Sequence, residues 1–171
     1  MDFFELAKAR YSVRSFQRRP VEQEKIQKIL EAGALSPTAC NNQPQRYYVI
    51  QSAEAMEKLK KCTDYTFGAP LAILVCYDRS KSWKRSGRDN ADSGETDASI
   101  ATTQMMLALV ELGLGSTWVG SLDPDEVIRQ FELDGNIVPH ALLPIGYPAE
   151  DAQPAPMHDQ RKSVRSTAVF L

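Results

Sequence analysis

One segment of this sequence, residues 97–112, is apolar on every side of a helix. Its apolar residues surround the whole circumference instead of following one stripe: Ile100, Ala101, Met105, Met106, Leu107, Ala108, Leu109, Val110 and Leu112. A helix with this pattern is buried on all sides. In a chain of 171 residues, such burial predicts either a three-layer fold or a second subunit that covers one side of the helix.

Hydrophobic periodicity predicts the other elements. We expect helices over residues 2–9, 21–35 and 53–61, and a further helix after an N-cap at Asp123. Strands are expected over residues 46–51, 71–77 and 137–147, and the continuous apolar run of the second predicts a strand covered on both faces. Pro139 and Pro144 restrict the last strand to edge or bulged positions along part of its length. The apolar end, residues 168–171, is expected to be docked.

Composition excludes several classes of protein. The length fits one domain over residues 1–171, and a hydrophobic content of 43% with 25% charged residues is typical of globular proteins. A net charge of −2 gives no electrostatic reason for a nucleic-acid or membrane partner. Three cysteines without a Cys-x-x-Cys pair, and a start without signal-peptide features, favour a cytoplasmic location.

No familiar catalytic motif is present. The glycines around residue 115 fail the dinucleotide-binding pattern because Trp118 occupies the third glycine position. The two histidines, His140 and His158, have no Cys or His nearby, so no metal site is predicted. We expect His140 to be a partly buried structural residue and no side chain to act as the catalyst. If the protein is an enzyme, the demanding chemistry belongs to a cofactor.

A basic stretch near the start is a candidate anion clamp. In an extended segment, alternate side chains point the same way, so Arg10, Ser12 and Arg14 can converge. Guanidinium groups bind phosphate in a bidentate manner, and serine adds a hydroxyl donor. The alternative is an exposed basic loop. A second irregular segment, residues 36–44, is either a surface turn or a place where backbone and amide groups approach a flat polar ligand.

Several motifs, taken in order, resemble the FMN-dependent nitroreductase family. They begin at the basic stretch near the start of the chain and end at a basic pair in the tail. In order they are Arg10 to Phe16, Ala34 to Ala39, Asn42-Gln43-Pro44, Gly68-Ala69-Pro70, Asp97 to Ala101, Gly113 to Gly120, Pro144 to Pro148 and Arg161-Lys162. The resemblance covers essentially the whole chain, whose length is similar to that of the family's small-subunit type.

The resemblance implies an α+β, nitroreductase-like three-layer fold, with a mostly antiparallel central sheet flanked by helices, in an intertwined homodimer. FMN would lie at the subunit interface. NADH or NADPH would supply hydride to flavin N5 in one half of a ping-pong reaction. A small-molecule acceptor, such as a nitroaromatic, a quinone or an activated alkene, would take it in the other half.

The resemblance also implies roles for individual residues. Arg10, Ser12 and Arg161 would hold the FMN phosphate, with Tyr11 in the same stretch, and Arg14 would lie near the N1/C2 edge, where a cation stabilises the reduced ring. The partner subunit would contribute four residues from the loop: Pro37, Thr38, Ala39 and Asn41. The ring would be lined by Thr117, Trp118, Val119 and Gly120, with the N–H of Val119 or Gly120 facing N5.

Two departures leave the substrate range open. Gln45 replaces an aromatic residue often found after Gln-Pro, and Asp159 takes a place that is often basic. One alternative is a non-catalytic flavin-binding sensor or storage protein, in which Trp83 and residues 79–95 close the flavin face; Trp83 could equally be a packing anchor. Another is a different flavin reaction on the same scaffold, such as reductive dehalogenation or ring oxidation.

Overall fold

The computed structural model describes residues 1–171 and is built around a four-stranded antiparallel sheet. In chain order the strands are β1 (Gln45–Ile50), β2 (Leu71–Asp78), β3 (Gly115–Ser116) and β4 (Ile137–Gly146). In space their order is β1-β2-β4-β3, and every pairing between neighbours is antiparallel. The prediction of a mostly antiparallel central sheet is therefore confirmed.

Helices cover both faces of this sheet. They are α1 (Phe3–Ala9), α2 (Gln23–Ala34), α3 (Ala53–Cys62), α4 (Gly94–Glu111), α5 (Pro124–Phe131) and α6 (Val164–Thr167). Side chains of α2 and α4 pack with Ile73 and Val75 of β2 on one face, and side chains of α3 and α5 pack with Leu74 and Cys76 on the other. Alternation along one continuous apolar strand thus supplies both cores, which confirms the three-layer fold.

Local signals place the helix starts. The Asp123 carboxylate accepts hydrogen bonds of 3.0 Å from the N–H groups of Asp125 and Glu126, and Pro124 follows at N1. The helix start predicted at Asp123 is therefore confirmed. α4 begins at Gly94, before the predicted start, where the Gly94 N–H donates to the Asp92 carboxylate at 2.8 Å. This glycine packs closely against Tyr77, since a Cβ there would lie 2.1 Å from the ring.

β4 contains a bulge. Its pairing with β2 shifts between Val75, which lies opposite Ala141, and Cys76, which lies opposite Pro139. His140 is therefore an extra residue without a partner on β2. The prediction of a bulged position, made from the prolines, is confirmed at Pro139.

Two apolar surfaces are uncovered in the single protomer. On α4, Ile100 is 38% exposed and Leu107 is only partly buried, so the predicted cover by a second subunit stays a prediction. The expectation of a docked chain end is wrong for the single protomer, because Val169 is 83% and Phe170 is 92% exposed. No helix in the structure has the length and apolar character needed to cross a bilayer.

Candidate functional site

The basic stretch belongs to an extended segment, residues 10–17, that we call the clamp segment. Backbone hydrogen bonds fix it beside β3 and the end of β4: the Val13 N–H donates to the Ser116 carbonyl at 3.0 Å, and the Gln17 N–H donates to the Tyr147 carbonyl at 2.9 Å. Val13 is buried, whereas the neighbouring Arg14 is exposed. Val13 thus anchors the clamp segment, and the arginine is turned outward.

Gly115 allows the clamp segment to lie this close to β3. A Cβ at this glycine would lie 2.4 Å from Cγ2 of Val13. Such a separation is far inside van der Waals contact, so any larger residue would displace the clamp segment.

Three arginines in or near the clamp segment have no salt-bridge partner: Arg10, Arg14 and Arg161. Burial, and secondarily the positive charge of Arg161, lower the pKa of Arg10. Arg14 donates from Nη1 to the Ser12 carbonyl at 3.3 Å. Cations without a counter-ion favour the binding of an anion.

A cavity of about 350 Å³ lies next to Arg14, and we call it the cleft. Its wall is formed by Arg14, two aromatic residues and five consecutive residues after β3: Tyr65, Phe67, Thr117, Trp118, Val119, Gly120 and Ser121. The structure therefore brings together Arg14 and residues 117–120, which the family resemblance had placed in one site. A cavity of this size is typical of small-molecule sites.

Three residues of the cleft were not anticipated from the sequence: Tyr65, Phe67 and Ser121. The rings of Tyr65 and Phe67 pack with their centroids 6.0 Å apart, and the Thr63 hydroxyl donates to the Ser121 carbonyl at 2.7 Å. Two aromatic residues just before Gly68-Ala69-Pro70 were the available signal, because exposed aromatic residues in a loop commonly mark binding surfaces.

A second, smaller cavity of about 230 Å³ lies on the other side of Arg14. It is lined by Ser12, Arg14, Ser15, Asp151, Ala152, Gln153 and Ala155. Arg14 thus borders both cavities, while Tyr11 packs edge-to-face on His158 at 6.3 Å and lines neither. Asp151 introduces a carboxylate that sequence reasoning did not place near the cations.

The backbone N–H groups of the cleft differ in availability. The Val119 N–H donates to the Leu142 carbonyl at 2.9 Å, so it is already used within the sheet. The Gly120 N–H donates to no acceptor in the protein, and this residue is exposed. Of the two N–H groups proposed from the sequence to face a ligand, only that of Gly120 is free to do so.

The loop over residues 36–44 lies apart from the cleft in the protomer. None of Pro37, Thr38, Ala39 and Asn41 lines either cavity. The loop is held by the Ala39 N–H, which donates to the buried Asp97 carboxylate at 3.0 Å. Asn41 has φ 54°, in the left-handed region that asparagine tolerates. One protomer therefore does not bring these four predicted residues into the site.

The fold and the cleft together define a class: a three-layer α+β protein with a cationic, aromatic-lined cleft of the size that a small organic cofactor requires. The chain belongs to the nitroreductase family, since the model of that family matches residues 7–65 and 60–147. Its length of 171 residues is consistent with the small-subunit type.

Individual relatives agree with this assignment. The structure of a nitroreductase family protein from Clostridium difficile 630 is 41% identical, with a TM-score of 0.92 over 99% of this chain and 98% of that one. A protein from Methanothermobacter thermautotrophicus, named as a candidate NADH dehydrogenase/NAD(P)H nitroreductase, is 33% identical over 88% of this chain and 80% of its own. A structure from Desulfovibrio desulfuricans in complex with FMN is 25% identical, with a TM-score of 0.82 over 100% of this chain and 97% of that one.

Proposed function

We propose that this protein is an FMN-dependent NAD(P)H oxidoreductase, with residues 1–171 acting as one FMN-binding domain. Its acceptor would be a nitroaromatic, a quinone or an activated alkene. The names of its relatives support the nicotinamide donor and the flavin. The observation that carries the proposal is the aromatic-lined cleft with Arg14 in its wall, next to a clamp segment whose arginines form no salt bridge with a carboxylate.

The residues present fit FMN. Its phosphate is a dianion, and Arg10 and Arg161 are two guanidinium groups that form no salt bridge with a carboxylate. Its ring system is flat and largely apolar, with polar edges, and the cleft offers aromatic side chains together with the free N–H of Gly120. Arg14 lines both the cleft and the second cavity, and Ser12 lines the second cavity.

When bound, FMN would supply the capacity to take hydride at N5 from NAD(P)H and to pass reducing equivalents to the acceptor. The protein residues would bind and orient it. Arg14 would place a positive charge beside the pyrimidine edge of the ring, which favours the form carrying negative charge. The Gly120 N–H would donate a hydrogen bond at the N5 side, since the Val119 N–H is engaged by Leu142. One open cleft would serve donor and acceptor in turn, as ping-pong kinetics require.

We propose that the working form is a homodimer. The uncovered side of α4 forms a shallow surface cavity of about 350 Å³, which is lined by Ser99, Ile100, Thr103, Gln104 and Leu107 of this helix. The apolar residues at the chain end are also exposed. A second copy would cover this apolar surface. It would also explain why the residue 36–44 loop lies apart from its own cleft: Pro37, Thr38, Ala39 and Asn41 would serve the cleft of the partner.

Absorbance spectroscopy tests the flavin. Purified protein, as isolated or after incubation with FMN and removal of the excess, is expected to show the visible flavin bands. A protein that remains colourless after this treatment would refute the proposal.

Turnover is tested separately, because a flavin-binding sensor would pass the first test. Anaerobic mixing of the FMN-loaded protein with NADH or NADPH is expected to bleach the flavin rapidly, and a subsequent nitroaromatic or quinone is expected to restore the colour. Bound flavin that neither nucleotide reduces would instead identify a storage or sensor protein.

A further inference from the structure

The bulge in β4 places a histidine against the cleft. Leu142 and Ile137 both pack in the core on the α3/α5 side, although they are five positions apart in the strand. Regular alternation would put them on opposite faces, so the extra residue His140 accounts for the change. The His140 side chain lies on the α4 side, where its Nε2 is hydrogen-bonded to the Ser99 Oγ at 2.8 Å.

The imidazole contacts a wall of the cleft. The rings of His140 and Trp118 meet edge-to-face, with their centroids 5.5 Å apart and their planes at 89°. This is a favourable geometry for an aromatic pair. Trp118 is 36% exposed and lines the cleft. Its Nε1 lies 3.9 Å from the place where a Cβ on Gly120 would be, so the indole spans from His140 to the residue with the free N–H.

The backbone around Trp118 gives its side chain little support. Trp118 follows a two-residue strand, and it precedes a single bridge between Val119 and Leu142. A partly exposed indole on so short a support has several accessible rotamers unless a neighbour fixes it. His140 is such a neighbour, and Ser99 on α4 fixes the imidazole in turn.

We propose that His140 is a positioning residue: it holds the Trp118 indole as a wall of the flavin cleft and thereby determines how a planar acceptor stacks there. The inference rests on the proposed function for its catalytic consequence but not for the contact itself. The inference assigns a role to His140, the extra residue of β4. The proposed binding of the cofactor does not itself require this residue.

The contact is tested by NMR on the ¹⁵N-labelled, FMN-loaded protein. The chain has two tryptophans, so Trp83→Phe leaves one indole N–H signal, that of Trp118. His140→Ala is expected to shift and broaden this signal, Ser99→Ala to do so less, and His140→Phe to keep it sharp. In the histidine-containing protein the signal is expected to move as the imidazole gains a proton, and in His140→Phe this movement is expected to disappear. Burial lowers the pKa of His140, and the charge of Glu95 on α4 offsets part of this effect.

Steady-state kinetics test the consequence. His140→Ala is expected to raise the acceptor KM roughly two- to tenfold, the factor that corresponds to one edge-to-face contact, with kcat changed less than twofold. His140→Phe should restore most of the KM. Met56→Ala on α3, a truncation of a half-buried side chain in the other core, is the control and should change neither KM nor the indole signal.

The outcomes separate this inference from the proposed function. An unchanged Trp118 signal in His140→Ala, or equal changes in Met56→Ala, would overturn the positioning role. If the protein fails to bind FMN, the proposed function falls, but the same indole comparison in the flavin-free protein still decides whether His140 holds Trp118.

Discussion

Replacing Arg10 by alanine tests the proposed phosphate-binding role from two sides. In the proposed complex, Arg10 donates charge-assisted hydrogen bonds to the FMN phosphate, and one such bond contributes about 1.5–3 kcal/mol. Its loss corresponds to a rise in the FMN dissociation constant of roughly 12- to 140-fold. Since the affinity includes attraction between exposed charges, it should also fall as salt is added, and this salt dependence should be weaker in Arg10→Ala.

The flavin-free protein is expected to respond in the opposite sense. Burial and Arg161 lower the pKa of Arg10, which means that its positive charge is disfavoured in the folded chain. No carboxylate loses a partner when Arg10 is removed. Arg10→Met, which keeps most of the apolar stem, should therefore leave the unfolding temperature of the flavin-free protein unchanged or raise it.

Two measurements check this prediction: quenching of FMN fluorescence on titration with protein, and thermal unfolding with and without FMN. Arg129→Ala is the control, because it removes the same charge from α5 and lines neither cavity. Unchanged FMN affinity in Arg10→Ala would refute the phosphate role. A marked loss of stability in flavin-free Arg10→Met would refute the reasoning about uncompensated charge.

Further predictions concern packing, pH and assembly. Gly115→Ala should cost about 1–3 kcal/mol or more in urea unfolding because its Cβ meets Val13, whereas Gly120→Ala has 3.9 Å to the nearest atom and should be nearly neutral; equal effects would contradict the close-approach argument. Burial lowers the pKa of His140, so the unfolded chain takes up the proton more readily and stability falls as pH drops below about 6.5. This loss of stability should be smaller in His140→Phe when the free energy of unfolding is measured at pH 7.5 and 5.5. An identical pH dependence in both proteins would show that His140 does not cause the loss. Leu107→Glu should convert a dimer into monomers in light scattering; an unchanged mass would exclude α4 from the interface.

The sequence predicted the helices and strands well, because they depend on residues that are close together in the chain. Proline and aspartate at the start of α5 and the continuous apolar run of β2 determine structure without reference to distant residues. The spread of apolar residues around α4 was correctly linked to cover on several sides. The three-layer fold was one of two alternatives that this pattern predicted, because a pattern cannot distinguish cover by the same chain from cover by another.

The site was predictable only in part. Arg14 and residues 117–120 share one cleft. The family resemblance implied this, because both segments carry motifs that resemble those of the family. Tyr65 and Phe67 were missed because their contribution depends on how a loop returns to the cleft. The engagement of the Val119 N–H was equally hidden, since it arises from a long-range pairing with Leu142. Gln45 proved to be buried, with its Oε1 lacking a hydrogen-bond partner, and no sequence pattern indicated this.

The bulge has a consequence for insertions and deletions. Losing one residue from an interior strand normally turns every following side chain to the wrong face. In β4, however, Ala141 and Pro139 already face consecutive residues of β2, Val75 and Cys76. Deleting His140 would therefore leave all other β2–β4 pairs in register, with Pro139, which has no N–H to donate, as the weak point of the regular ladder. A single-codon change could thus add or remove this histidine without turning the rest of β4 to the wrong face, which makes it a position where related chains can diverge in function.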